Sequence, residues 1–200
     1  MLSPEWEEVH RTRPWQSLPQ EQMVIWLLAQ FPGEDRSKIK ILDLGCGQGP
    51  STIYLAQYGF HIVALDGSPS ALKKLKANIS NGYDSNVHLV CSDMSKLGFP
   101  DGYFDVVLDI ASICHNDNYQ EIFDEVARVL RVGGGFFSVL PAADANRDPF
   151  MGFGPVNFFE KEHIKDFLNE KFIINIAYKR LDNGDGQNLL SQWLVLGIKK

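Results

Sequence analysis

Three glycines at alternate positions, Gly45, Gly47 and Gly49, sit between an acid and a proline in the stretch ILDLGCGQGP, 41–50. Glycine takes backbone conformations that other residues resist, and it lets the main chain touch a ligand with no Cβ in the way. Pro50 and Ser51 suit the first turn of a helix, where a missing N–H costs little. The spacing is G-x-G-x-G, and Pro50 stands where the dinucleotide fingerprint G-x-G-x-x-G needs its last glycine. Asp43, at the end of the apolar run, would repel a pyrophosphate but suits a cation, so a ligand with positive charge beside this loop is expected.

Two further acids extend the pattern. Asp66 closes HIVALDGS, 17 residues after Gly49, where a carboxylate can accept both hydroxyls of a ribose. Asp93 closes VHLVCSDM, where an acid and the following backbone N–H can read an exocyclic amine and a ring nitrogen of adenine. A single Asp at such a place is as well explained as a helix cap. Three on successive strands, with the glycine loop, point to a nucleoside that carries a cationic arm.

The elements that must hold these residues alternate. KIKILDL is followed by STIYLAQYG, HIVALD by SPSALKKLKANIS, YFDVVLDIA by YQEIFDEVARVLR, and GFFSVLP by KEHIKDFLNEK, with VHLVCS between. Short β-branched runs alternating with helices predict a largely parallel sheet covered on both faces. QEQMVIWLLAQFPG adds a helix ahead of the sheet, with Val24, Leu27, Leu28 and Phe31 on one face and a stop at Pro32-Gly33. Gly59 and Asn81-Gly82 end the helices before them. Gly133 to Gly135 let the chain reverse between a helix and a strand. FIINIAYKRLD and NLLSQWLVLGIKK, joined by NGDGQ, read as a closing antiparallel hairpin.

At 200 residues, with 44% hydrophobic and 22% charged residues, the chain fits one globular domain, 1–200. A net charge of -6 argues against nucleic acid as a partner. Cys46, Cys91 and Cys114 lie far apart, so reduced thiols and no metal site are expected. The N-terminus has no apolar leader, and no stretch reaches the ~18 apolar residues of a membrane span. A cytoplasmic protein with no membrane partner is expected; the oligomeric state is left open.

Four motifs in order make residues 38–140 resemble the class I S-adenosylmethionine-dependent methyltransferases, close to their small type 11 and 12 members. ILDLGCGQG looks like the family's glycine motif and VALDGSPSAL like its second-strand acid motif. CSDMSKLGFPDGYFDVVLDIASICH resembles the adenine and fourth-strand motifs, and EVARVLRVGGGFFSV the segment that leads into the fifth strand. The resemblance implies an α/β Rossmann-like sheet of seven strands, order 3-2-1-4-5-7-6, mostly parallel with an antiparallel C-terminal hairpin and helices on both faces. It implies S-adenosyl-L-methionine as cofactor, S-adenosyl-L-homocysteine as product and a small-molecule acceptor. Cofactor contacts are implied at Asp43, Gly45, Cys46, Gly47 and Gly49, with Asp43 near the methionine amine. Asp66 would hold the ribose hydroxyls, with Gly67 and Ser68 beside it as further cofactor contacts; Asp93 and the backbone of Met94 would hold the adenine, and Asp109 or Ile110 would lie beside the sulfonium arm.

His115, just past the fourth strand, is where family members often carry a His that faces the acceptor. It is the candidate catalytic base or acceptor ligand, against a plain capping or solvent-facing role. DIASIC lacks the D/N-P-P-Y and P-C motifs of the DNA methyltransferases, so an O, N or S nucleophile on a small molecule is expected, with Cys114 a small apolar residue. The segment 1–36 is read as an arm and helix over the cofactor, through Trp6, His10, Arg11, Arg13 and Trp15. Residues 141–200 are read as an acceptor loop with Arg147, Phe150, Met151 and Phe153, then a helix and the hairpin. Two rival readings are a non-catalytic protein that holds the cofactor or its product, and a nicotinamide-dependent oxidoreductase, which Pro50 and Asp43 count against.

Overall fold

The computed structural model describes residues 4–12, 19–33, 35–79, 84–147, 156–182 and 188–200. In chain order they form α1 (Pro4–Thr12), α2 (Glu21–Gln30), β1 (Lys40–Leu44), α3 (Pro50–Gln57), β2 (His61–Asp66) and α4 (Pro69–Ile79). There follow β3 (Val87–Cys91), β4 (Phe104–Ile110), α5 (Tyr119–Val129), β5 (Leu130–Pro141), α6 (Lys161–Leu168), β6 (Phe172–Asp182) and β7 (Asn188–Lys199). The seven strands make one sheet in the order β3-β2-β1-β4-β5-β7-β6. β1 to β5 pair in parallel, and β7 runs antiparallel to both β5 and β6. That is the expected architecture, and the turn 183–187 of the hairpin lies outside the described residues.

The inner strands read as unbroken apolar runs because both sheet faces are covered. Leu42, Leu44, Val63, Leu65 and Val107 pack on the side closed by Ile122, Phe123 and Val126 of α5 and Ile164 and Leu168 of α6. Ile41, Ile62, Ala64, Val106 and Leu108 pack on the other side, under Met23 and Leu27 of α2, Leu55 of α3 and Leu72, Leu75 and Ile79 of α4. Each of these side chains larger than alanine contributes about 1.5–3 kcal/mol by leaving water. This fixes the sheet, and with it the line of strand ends where the acids stand.

Two local features depart from the sequence reading. β5 starts at Leu130, directly after α5, and its pairing with β4 jumps from Phe104↔Leu130 to Val106↔Gly135. The glycines therefore form a bulge within the strand rather than a separate turn. Gly135 also makes room for α2, since a Cβ there would lie 2.9 Å from Trp26 Cη2. The second feature is α1, a true helix with Pro at its start, Glu5 and Glu7 in its first turn and His10 and Arg11 in its last. Those charges suit the helix dipole, and they were legible signals. The sequence reading saw only an arm there.

Candidate cofactor and acceptor site

The loop after β1 is built first by its own backbone. The N–H groups of Gly45 and Cys46 both donate to Leu65 O, at 2.8 and 3.0 Å, and Gly49 N donates to Cys46 O at 2.9 Å. All three glycines have positive φ, 68°, 54° and 83°. Their surroundings differ. A Cβ on Gly45 would stand 2.3 Å from Ser112 Cβ, and one on Gly49 would stand 2.2 Å from Leu75 Cδ1. On Gly47 the nearest atom would be His10 Cε1 of α1, at 3.3 Å. Two of the glycines thus let the loop sink onto the fold, and only Gly47 opens toward the cleft under α1. Gly49→Ala is expected to cost about 2–4 kcal/mol, because left-handed φ strains an alanine and the buried Leu75 must move. Urea denaturation measures it, and the loss should shrink when Leu75→Ala is combined with it.

Asp66 pins this loop from the neighbouring strand. Its Oδ2 accepts from Gly47 N and its Oδ1 from Ser68 N, both at 2.8 Å. Asp43 lies deeper, 3% exposed, and accepts from the buried Thr52 Oγ1 at 2.5 Å. Burial, with the nearby charges of Asp66 and Asp109, pushes Asp43 up to about 6, against the pull of the Thr52 hydroxyl. Burial, reinforced by Asp43 and Asp66, also pushes the Cys46 thiol well up, so this cysteine behaves as a small apolar residue. Cys114, fully buried, is raised in the same way, first by burial and then by Asp109.

Asp109 needs a correction. Its carboxylate is fully buried and already accepts four hydrogen bonds, from Ser112 N at 2.9 Å, Ser112 Oγ at 2.6 Å, Ile113 N at 3.0 Å and Ser138 Oγ at 2.5 Å. It braces the turn after β4 and has no surface to offer a ligand. Ile110, the other member of the pair, is half-buried. Next to it Ala111 has φ 56°, a left-handed conformation uncommon for a residue with a side chain. This kink turns the chain so that Ser112 and Ile113 fold back onto Asp109. Nothing in DIASICH announces it.

Beyond β3, Asp93 Oδ1 accepts from Ser95 N at 2.9 Å and Ser95 Oγ at 2.8 Å. Met94 Sδ accepts from Asn116 Nδ2 at 3.4 Å. Leu97 to Asp101 are fastened by Arg128 of α5, whose guanidinium donates to Leu97 O, Phe99 O and Asp101 Oδ1 at 2.7 to 2.8 Å while Glu125 holds it from behind. Leu97 N donates in turn to Glu125 Oε2 at 2.8 Å. The helix pattern gave α5 a buried stripe but not this bracket, which depends on a contact across about 30 residues.

α1 closes the picture. Glu7 accepts from the hydroxyls of Ser68 and Ser70, and from Ser70 N at 3.4 Å, at the start of α4. Those hydroxyls, first Ser68 and then Ser70, hold Glu7 below the usual carboxylate range. The Trp6 ring meets the His115 ring edge-on at 4.5 Å and the His10 ring at 5.6 Å. The helix therefore runs from the turn after β2 to the turn that carries His115, with His10 over Gly47. Arg11 does not join them: it is exposed and pairs with Glu8 at 2.6 Å. Arg147 lies over the Phe158 ring at 4.6 Å. Arg13, Trp15, Phe150, Met151 and Phe153 lie outside the described residues. No helix among the described residues is long and apolar enough to cross a membrane.

A parallel sheet with its acids and glycine loop at the carboxyl ends of β1, β2 and β3 defines the Rossmann-like methyltransferase class of fold. Residues 42–138 match the family described as methyltransferase domain. The chain is 33% identical over 147 residues to 2-methyl-6-phytyl-1,4-hydroquinone methyltransferase of Synechocystis, covering 72% of this chain and 44% of that protein. It is 32% identical over 120 residues to 24-methylenesterol C-methyltransferase 2 of rice, covering 59% of this chain and 32% of that one. The chain thus spans less than half the length of these two relatives. Among solved structures, a geranyl diphosphate C-methyltransferase from Streptomyces coelicolor superposes with a TM-score of 0.76 over 99% of this chain and 98% of that one, at 13% identity. Residues 42–138 thus make up a methyltransferase domain like that of the class I S-adenosylmethionine-dependent methyltransferases, a family whose cofactor is S-adenosylmethionine. The residues present fit it: one glycine open to the cleft, a buried acid with no cationic side chain bonded to it among the described residues, and acids at the ends of β2 and β3.

Proposed function

We propose that the chain transfers a methyl group from S-adenosylmethionine to a small-molecule acceptor seated between Trp6, His115 and the segment 156–159, in the cytoplasm. The observation that carries this reading is the convergence of α1, the glycine loop and the His115 turn on one end of the sheet, with Trp6 against His115 at 4.5 Å and His10 over Gly47. Bound there, the cofactor supplies a methyl group already activated on a sulfonium. The protein's work is then alignment, which can supply ~7–11 kcal/mol of the barrier. Asp43 and Gly47 hold the methionine arm, Asp66 the ribose, and Asp93 with the backbone of Met94 the adenine. Trp6 and His10 cover the cleft and exclude water. His115 takes a proton when the acceptor has one to lose as it attacks, and otherwise orients the acceptor. The name of one relative, a 24-methylenesterol C-methyltransferase, favours a carbon nucleophile beside the O, N and S atoms expected from the sequence.

Calorimetry with S-adenosylmethionine, S-adenosylhomocysteine and NAD tests the reading. Micromolar binding of the two sulfur nucleosides and none of NAD is the expected result. Saturable NAD binding with no response to either nucleoside would overturn it. Tritium transfer from methyl-labelled cofactor to a panel of hydroquinones and olefins then separates an enzyme from a protein that only holds the cofactor.

A further inference from the structure

His115 sits in a single 3-10 turn, Ile113–His115, that follows the strained Ala111 and has no side-chain cap from Ser112. Such a turn is marginal alone, because its hydrogen bonds are few and poorly aligned. Asp109 braces its start through Ser112 and Ile113, and Asn116 Nδ2 donates back to Ser112 O at 3.1 Å. The end that carries His115 is held by a residue 42 positions further along the chain. Asn157 Nδ2 donates to Cys114 O at 3.0 Å and to Asn116 O at 2.9 Å, the carbonyls on either side of His115, and Asn157 N donates to Cys114 O at 2.8 Å. Asn157 is itself anchored two residues on. Phe159 is buried; its N–H donates to Pro141 O at 2.9 Å, and its carbonyl accepts from Ala143 N at 2.9 Å and from Trp193 Nε1 at 2.8 Å. A rigid point on β5 and β7 is thereby connected to both flanks of His115, while Trp6 of α1 meets its ring from outside.

We propose that Asn157 is a positioning residue that holds His115 in its acceptor-facing place, so that the segment entering α6 and the His115 turn move as one unit. The proposal rests on the role given to His115 above. Its chemistry demands a primary amide: both Nδ2 protons are used, one on each carbonyl, and a carboxylate of the same shape has none to give. Asn157→Asp places an acceptor against two acceptors, and the end of the turn that carries His115 is released while Asp109 keeps its start.

Histidine ring NMR on the full chain tests this without an acceptor. His115 is assigned by the loss of its signal in His115→Ala, and the Trp6 ring current on it is read from Trp6→Leu. In Asn157→Asp, and in Asn157→Ser should the first not fold, the His115 ring signals should move most of the way to their Trp6→Leu positions. S-adenosylhomocysteine affinity should change less than threefold, because Gly47, Asp66 and Asp93 are untouched. Unmoved His115 signals in a folded variant would overturn the proposal, and so would a moved signal accompanied by loss of nucleoside binding, which would mark a general collapse of the site. A wild type that binds no nucleoside at all would overturn the methyltransferase reading while leaving the ring-signal result to decide Asn157's hold on His115.

Discussion

Asp43→Asn should make the protein more stable and less able to bind its cofactor. The folded state holds a proton on Asp43 up to about pH 6, against an ordinary value of 3.8. Folded chains therefore bind more protons than unfolded ones between those values, and stability falls as pH rises from about 4 to 6 and stays lower above. Each unit is 1.36 kcal/mol, so the ionised carboxylate costs up to about 3 kcal/mol at neutral pH. Asp43→Asn removes that charge and keeps an oxygen for Thr52 Oγ1 to donate to. Its melting temperature should exceed that of the wild type by roughly 4–10 °C at pH 8, and the gain should vanish below pH 4. Binding should move the other way. A cation beside a buried carboxylate is worth far more than in water, so S-adenosylmethionine affinity should fall at least tenfold. In the wild type the affinity itself should decline as pH drops through about 6, as Asp43 takes up its proton. Thermal melts and calorimetry across pH 4 to 8 measure both, and equal melting temperatures at pH 8 would refute the assignment. The expected pattern is a destabilising charge kept for function.

How much of this was legible in the sequence depends on whether a feature is local. Strand alternation, the order of elements and the hairpin all follow from runs of residues adjacent in the chain, and the sheet order agreed. The acids were legible because each ends a strand. What they do was less so: Asp43, Asp66 and Asp109 carry the same side chain, yet one is held by Thr52, one accepts two loop amides and one accepts four donors. The glycines divide in the same way, since Leu75 and Ser112, which crowd Gly49 and Gly45, come from elements 26 and 67 residues away. Asn157's fork and Arg128's bracket are contacts across 41 to 43 and about 30 residues, and no periodicity announces them. Glu7's reach to Ser68 and Ser70 is of the same kind. Sequence pattern reports the faces of elements, whereas these partnerships are created only when the faces meet.

Asp66→Ala should cause the largest loss of nucleoside binding. Asp66 does two jobs, accepting the amides of Gly47 and Ser68 and, in the proposed complex, the ribose hydroxyls. Removing the carboxylate leaves two amides without their acceptor, at about 1–3 kcal/mol for each that stays out of water. It also removes the charge-assisted bonds to the sugar, worth about 1.5–3 kcal/mol, so S-adenosylhomocysteine affinity should fall by about 10- to 100-fold. Only the sugar bonds depend on the ligand's hydroxyls, and this separates the two jobs. Wild type should bind a 2′,3′-dideoxy analogue of methylthioadenosine much more weakly than methylthioadenosine itself. Against that analogue Asp66→Ala should cost only what the loosened loop costs, several-fold less than against the full nucleoside. An equal penalty against both ligands would mean that Asp66 acts on the loop alone and that the ribose is held elsewhere. Unchanged affinity for S-adenosylhomocysteine would move the nucleoside away from β2 altogether. The comparison works because the carboxylate is shared between backbone and ligand, which makes the glycine loop's shape and the sugar's binding two readings of one acid.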